Sequence, residues 1–182
     1  MIRVYNSVMA MQPEQALFLR DNAVRTLKTE QPVTQRVIEA IPLDKGDYRP
    51  DPAAKSALEL ARHIAAAEHL FSESVINGAF DFTNAARATE LATSADVARW
   101  YAEMTRQDLE RLAAAPAEAL MKIVDFRGLF QLPAVAFLDF SMRHIVHHRG
   151  QLSTYLRPMG AKVPAIYGES YDSAQAKQAA GA

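Results

Sequence analysis

FSMRHIVHHRGQLSTYLR, residues 140–157, carries three of the five histidines in this 182-residue chain. Its spacing of apolar residues predicts one amphipathic helix over 133–157. Pro133 fits the first turn, where its missing N–H costs little, and Pro158 begins the stop signal. At about 100° per residue, His144 and His148 lie within roughly 40° of each other, so they share one face of the helix.

The spacing of this pair is one that metal sites use. Two histidines at i and i+4 can give two imidazole nitrogens to one transition metal. Such a pair also occurs as a surface accident or as two hydrogen-bonded core imidazoles, so a third ligand is needed. His147 lies about 80° from the centre of the shared face, at its flank. The chain has no cysteine, which leaves His63 and His69 as the remaining imidazole candidates.

The composition is that of a globular protein without a nucleic-acid or membrane partner. Hydrophobic residues make up 49% and charged residues 23%, which excludes a disordered chain. The 20 basic and 21 acidic residues form no basic run, so neither nucleic acid nor an anionic membrane surface is expected to bind. The first twelve residues lack a signal-peptide pattern and no later run could span a membrane, which predicts a cytoplasmic protein.

Hydrophobic periodicity predicts four long helices and almost no strands. The expected helices cover about 13–41, 53–77, 94–114 and 133–157. Pro32 is expected to kink or divide the first helix, Gly78 to end the second, and Thr93 or Ser94 to cap the third. Four such helices with modest connections predict an all-α four-helix bundle formed by a single domain, 1–182.

Two regions outside these helices are less regular. Residues 117–131 are ambiguous, because Leu120 to Phe126 could be extended before Arg127-Gly128 ends the segment. The residues after Gly160 predict an ordered loop that folds back over one end of the bundle. The tail, 174–182, has little apolar surface and is expected to fray.

The second predicted helix offers a third ligand. On its helical wheel His63 faces inward, whereas Glu68 and His69 belong to another face. A lone inward histidine is usually a core residue satisfied by a hydrogen bond. The small and apolar neighbours of His63 offer few such bonds, and ligands from facing helices converge inside four-helix bundles. His63 could therefore meet His144 and His148.

Three segments carry a resemblance to a known family: SALELARHIAAAE at 56–68, HIVHHRGQLSTYLR at 144–157 and GAKVPAIYG at 160–168. Together they resemble the DinB-like, also called YfiT-like, family of metal-binding four-helix bundle proteins over nearly the whole chain. The resemblance implies a metal held by His63, His144 and His148, and it also implies a homodimer. The family name derives from damage-inducible expression and does not imply DNA binding.

One face of the last helix is consistent with a homodimer. The side opposite the histidines carries Met142, Val146, Gly150 and Ser153, which are small or apolar. A glycine inside a helix lowers its stability by about 1 kcal/mol relative to alanine. Close approach of a partner helix would explain why a glycine stands at position 150. The alternative is that this face packs against the C-terminal loop of the same chain.

A three-histidine site would be an open one. Three neutral imidazoles leave the metal its full charge and at least one free position, and Zn, Ni and Fe(II) all accept such ligands. Our leading hypothesis is a metal-dependent enzyme similar to the thiol-dependent transferases and isomerases that resemble this bundle. Because the chain has no cysteine, a low-molecular-weight thiol would bring the nucleophile to a small-molecule substrate.

Two other functions remain open. Metal-assisted hydrolysis needs a nearby acid or base, and among Glu59, Gln151 and Tyr155 only Glu59 is a carboxylate, itself expected to be solvated or ion-paired. A stress-related binding or assembly protein would hold a structural or incidental metal, with His147 as the nearest fourth ligand. Arg149 and Arg157 are expected to be surface or interface charges, with binding of a substrate carboxylate as the other interpretation.

Overall fold

A computed structural model describes residues 11–83, 88 and 90–181. It confirms the predicted all-α fold, with one small hairpin added to the helices. In chain order the elements are α1 (Pro13–Glu39), α2 (Ala57–Asn77), α3 (Ser94–Ala114), α4 (Ala117–Met121), β1 (Ile123–Phe126), β2 (Phe130–Pro133), α5 (Ala136–Leu156) and α6 (Tyr171–Ala180). None of the helices in these residues has both the length and the apolarity needed to cross a membrane. Residues 1–10, which the signal-peptide argument used, lie outside the described part.

The four long helices form the bundle. Helix α1 packs against α3 and α5, and α2 packs against the same two helices. Helices α1 and α2 therefore lie across one diagonal of the bundle, and α3 and α5 across the other. One buried apolar cluster joins all four, with Leu27, Ile64, Leu112 and Leu152 as fully buried members.

Helix α1 runs without interruption past Pro32, so the predicted division into two helices is wrong. The proline has no N–H to donate to the carbonyl four residues earlier. However, Leu27 before it and Thr34 after it are both buried in the bundle. Packing on both sides holds the helix together, and it ends at Glu39 rather than at residue 41.

Helix α2 begins at Ala57, later than the predicted residue 53, because Ser56 is its N-cap. The Ser56 hydroxyl accepts the N–H of Glu59 at 3.2 Å, and the Glu59 carboxylate accepts the N–H of Ser56 at 2.8 Å. This reciprocal capping box fixes the first turn of the helix. The predicted stop at Gly78 is confirmed, since it takes the left-handed φ of 70° that glycine tolerates.

The predicted N-cap of the third helix is also confirmed. The Thr93 hydroxyl accepts the N–H of Asp96 at 3.1 Å, and the Asp96 carboxylate accepts the N–H of Thr93 at the same distance. The cap places α3 directly after the connection from α2.

The ambiguous segment after α4 forms an antiparallel hairpin of β1 and β2. Arg127 and Gly128 make the turn with φ values of 54° and 68°, and the Asp125 carboxylate accepts the N–H of Gly128 at 2.8 Å. Pro133 pairs opposite Ile123 at the end of β2. Its predicted place in the first turn of the last helix is therefore wrong, and α5 begins at residue 136.

The described part of the C-terminal tail, which was expected to fray, includes helix α6. Ser170 caps α6 by accepting the N–H of Ser173 at 3.0 Å. Arg157 at the end of α5 pairs with Asp172 at 2.9 Å. Helix α6 buries no residue, so polar contacts at its first turn hold it. Ala182 lies outside the described part.

Candidate metal centre

The structure brings His63 of α2 together with His144 and His148 of α5. The ring centroid of His63 lies 4.9 Å from that of His144 and 4.6 Å from that of His148. The ring centroids of the two α5 histidines lie 4.4 Å apart. One potential ligand atom from each side chain lies within 4.8 Å of the other two. The contact between α2 and α5 thus creates a three-imidazole cluster from residues far apart in sequence.

Two of the nitrogens already have the separation that a shared metal requires. His63 Nε2 lies 3.2 Å from His148 Nε2. Two ligands with bonds of 2.0–2.1 Å in a tetrahedral site lie about 3.3 Å apart. The other nitrogen of His148, Nδ1, lies 2.6 Å from Gln151 Oε1, which can only accept a hydrogen bond. This bond places the proton on Nδ1 and leaves the Nε2 lone pair facing His63.

His144 supports the same interpretation from a different observation. Its Nδ1 is buried and has no hydrogen-bond partner among the described residues. Unsatisfied buried polar atoms are rare in folded proteins, because each loses its hydration without compensation. The residues present therefore fit a cation held by imidazoles.

The electrostatics of the cluster keep its imidazoles neutral. Burial, followed by the neighbouring His148 and the Lys55 ammonium, lowers the pKa of His63 to about 4. Burial and the two other histidines lower the pKa of His144 to about 4. Burial also lowers the pKa of His148. Neutral imidazole is the form that binds metals, so near neutral pH all three are ready to do so.

The cluster lies at the edge of the bundle rather than in its centre. The buried stripe of α5 follows Ile145, Arg149 and Leu152, and the first two each come directly after a histidine of the cluster. His144 and His148 are consequently half-buried in the seam between α5 and α2. Both side chains therefore keep part of their surface exposed to solvent.

No fourth His, Asp or Glu of the described residues joins this group. The exposed His147 stays outside it, with its ring 4.8 Å from that of His148. A metal held by these three residues alone would keep a coordination position for a further ligand.

Glu59 is engaged elsewhere. Its carboxylate accepts hydrogen bonds from Arg49 at 2.8 Å and from the backbone of Ser56. The Arg49 bond, followed by the Ser56 bond, lowers the pKa of Glu59 to about 2. The other two candidates for acid–base work differ in their contacts: Gln151 binds His148, and the ring of Tyr155 lies edge-on to that of Tyr48 at 5.9 Å.

The chain is similar to proteins of one family. The sequence model of the DinB family matches residues 11–180. This chain belongs to the DinB family. It is 34% identical over 131 residues to the uncharacterized protein YjoA of Bacillus subtilis, a match that covers 70% of this chain and 82% of that protein.

Two solved DinB-like structures have the same fold as this DinB family chain. The crystal structure of YjoA from Bacillus subtilis has a TM-score of 0.65 and 26% identity, and the match covers 82% of this chain and 99% of that one. A DinB-like protein from Bacillus cereus ATCC 10987 has a TM-score of 0.68 at 22% identity, covering 81% and 97% of the two chains. The second likeness supports the fold alone.

A second cluster in this DinB family protein involves His69, which the sequence placed away from the first. His69 Nδ1 lies 2.8 Å from an oxygen of the buried Asp108. This hydrogen bond raises the pKa of His69. Glu73 lies close enough to join them, but Arg111 pairs with its carboxylate. The four groups thus neutralise one another across α2 and α3.

Arg149 and Glu68 are buried charged residues of this DinB family protein that were not predicted from its sequence. Arg149 is 1% exposed, which makes its predicted surface location wrong, and Glu68 is also 1% exposed. The signal for Arg149 was its position, four residues after Ile145 and three before Leu152, in line with the apolar stripe. A charge on such a stripe requires a buried partner.

Proposed function

We propose that this protein holds one divalent transition metal, Zn, Ni or Fe(II), through His63, His144 and His148. The observation that carries the proposal is the convergence of three neutral imidazoles, with two Nε2 atoms 3.2 Å apart, at a seam open to solvent. Gln151 supports it by fixing the tautomer of His148.

We further propose that the bound metal serves thiol-dependent transferase or isomerase chemistry. When bound, such a metal supplies Lewis acidity that lowers the pKa of a thiol reaching it. The chain has no cysteine, so the thiol would be a small molecule. Lys55 forms no ion pair among the described residues, and its charge acts on His63 and His148. A cation there favours an anionic ligand such as a thiolate.

The alternatives have less support. Metal-assisted hydrolysis would need a base, and Glu59 is bound by Arg49 with its pKa lowered to about 2. A binding or assembly protein with a structural metal would need a closed site, whereas His147 remains outside the three-histidine group. A cytoplasmic location stays a prediction.

The first experiment measures bound metal in protein purified without a nickel column. We expect near-stoichiometric metal in wild type and its loss in a His144→Ala/His148→Ala variant. His147→Ala is the matched control, because this neighbouring histidine is exposed and should keep the metal. Wild-type protein that binds no metal even after reconstitution would refute the proposal.

A second experiment tests the thiol. Cobalt-substituted protein is titrated with cysteine and with glutathione, and the sulfur-to-cobalt absorption band is recorded. We expect the band in wild type and in His147→Ala, and a weaker affinity in Lys55→Gln because the neighbouring positive charge is lost. A metal-loaded protein that gives no band with either thiol would leave the metal site standing and remove the thiol chemistry.

We also propose a homodimer in which a second copy covers the seam between α1 and α5. A groove of about 470 Å³ follows this seam and includes Leu19 and Met142, and Phe18 beside it is 72% exposed. No described residue lies within 4 Å of the position of a Cβ on Gly150, so the C-terminal loop does not pack there. Light scattering should give a dimer mass for wild type and a monomer mass for Met142→Asp. A monomeric wild type would contradict the proposal.

A further inference from the structure

Arg149 follows the proposed ligand His148 in sequence, but its side chain points away from the histidines into the bundle. Its Nη1 donates to Glu30 Oε2 at 2.6 Å and to Thr34 Oγ1 at 3.3 Å, both on α1. Its Nη2 donates to the Tyr167 hydroxyl at 2.6 Å. One guanidinium therefore ties α5 to α1 and to the segment that follows α5.

Tyr167 closes this group of contacts. Its hydroxyl donates to Glu30 Oε2 at 3.0 Å, and the Arg149 guanidinium carbon lies 5.0 Å from its ring centre. We call Arg149, Glu30 and Tyr167 the arginine clamp. Glu30 and Arg149 are 119 residues apart, so the clamp is a tertiary contact that local helix geometry does not require.

The clamp fixes the rotation of α5 about its axis. A side-chain tip about 5 Å from the axis moves about 0.9 Å when the helix turns by about 10°. Metal–nitrogen distances tolerate only about 0.2 Å of error. A small rotation of α5 would therefore disturb His144 and His148 together, since both lie on this helix.

Buried ion pairs of this kind are poor evidence for stability. Removing two charges from water offsets most of their attraction, and apolar residues of similar volume often stabilise a core as well. What such a pair supplies is a defined arrangement, because the N–H groups of the planar guanidinium donate in fixed directions. The clamp includes Arg149, the residue that follows His148 on α5, and a defined arrangement of α5 matters there.

We propose that Arg149 is a positioning residue for the three-histidine site, and that Tyr167 makes the C-terminal segment a part of its support. The proposal rests on the metal site proposed above. The clamp holds α5 at the rotation in which His144 and His148 face His63. Without it the same ligands are present, but their nitrogens no longer converge as closely.

The test compares two tyrosines of the C-terminal segment. Tyr167→Phe removes only the hydroxyl that binds Arg149 and Glu30, from a ring that is 69% exposed. Tyr171→Phe is the matched control, since Tyr171 is also 69% exposed and lies over Arg157 instead. Arg149→Lys keeps the charge but loses the fork. Zinc affinity is measured by competition with a chromogenic chelator, and unfolding of the metal-free proteins by urea.

We expect Tyr167→Phe to weaken zinc binding about tenfold and Arg149→Lys more, the range typical of residues that orient ligands. Tyr171→Phe should bind zinc like wild type. The urea midpoint of metal-free Tyr167→Phe should match that of Tyr171→Phe. Unchanged zinc affinity in Tyr167→Phe and Arg149→Lys, when wild type binds zinc, would overturn the role of the clamp alone.

A second readout does not depend on metal. In metal-free protein the ring-proton resonances of His144 and His148 should shift in Arg149→Lys and stay in place in Tyr171→Phe. If wild type binds no zinc, the proposed metal site fails, and these resonances still decide whether the clamp sets the histidine positions. Unshifted resonances in Arg149→Lys would then refute the clamp as well.

Discussion

Replacing Glu68 by glutamine tests the electrostatics of the bundle interior. Glu68 is buried on α2, where it accepts hydrogen bonds from the Tyr101 hydroxyl at 2.6 Å and from the Gln31 amide at 2.9 Å. Burial raises the pKa of this carboxyl from 4.5 to about 7, against the opposing effect of the two hydrogen bonds. Glutamine has nearly the same shape and cannot ionise.

The magnitude follows from the difference between the folded and unfolded pKa. The unfolded chain releases this proton near pH 4.5 and the folded chain near pH 7. Between pH 4.5 and 7 the unfolded state holds fewer protons than the folded state. The contribution of Glu68 to the free energy of unfolding is therefore fully present below pH 4.5 and is lost as pH rises through the folded pKa. At about 1.4 kcal/mol per pKa unit, the loss is about 3 kcal/mol.

The assay is urea unfolding of metal-free wild type and Glu68→Gln at several pH values between 4.5 and 8. The free energy of unfolding of the variant should rise relative to wild type by about 3 kcal/mol over this range. The histidines titrate equally in both proteins, so the difference isolates Glu68. Glu103→Gln is the control, because the Arg106 bond lowers the pKa of that exposed carboxyl and no such gain is expected. A difference that does not change with pH would refute the reasoning.

Three further predictions concern single contacts. Gln151→Ala should weaken metal binding about tenfold without changing the urea midpoint of metal-free protein, because it removes the acceptor that orients His148; equal affinity would contradict this. Ser56→Ala should lower the free energy of unfolding by about 1 kcal/mol through loss of the α2 cap, measured by urea unfolding, and no loss would show that the cap contributes nothing. Gly150→Ala should raise the free energy of unfolding of a monomer by about 1 kcal/mol, since no described residue lies within 4 Å of the added Cβ, whereas a loss accompanied by dissociation would indicate a partner helix there.

The features that depend on local spacing could be predicted from the sequence. The approximate extents of the long helices follow from hydrophobic periodicity, and the stop at Gly78 follows from the left-handed φ that glycine permits. The common face of His144 and His148 follows from the i, i+4 rule alone. That this face contacts His63 could be predicted only with the further inference that α2 and α5 are neighbours in the bundle.

Other features depend on partners far along the chain, and local patterns do not reveal those. The burial of Arg149 is decided by Glu30, which lies 119 residues earlier. Helix α1 passes through Pro32 because both flanks pack on other helices, although the local rule predicts a break. Pro133 belongs to β2, where it pairs with Ile123 of β1, although helix periodicity had placed it in the first turn of the last helix. In each case a tertiary contact outweighed a local preference.

The separation of 85 residues between His63 and His148 has a consequence for the motions of the bundle. A cation shared by these side chains would link α2 directly to α5. The chain itself connects these two helices only through α3, α4 and the hairpin. Parting α2 from α5 would then require release of the ion, and ligand binding to the folded state alone raises the free energy of every opening that breaks the site. Amide hydrogen exchange should therefore slow in both helices together on metal addition, while exchange in α6, which supplies no ligand to the site, keeps its rate.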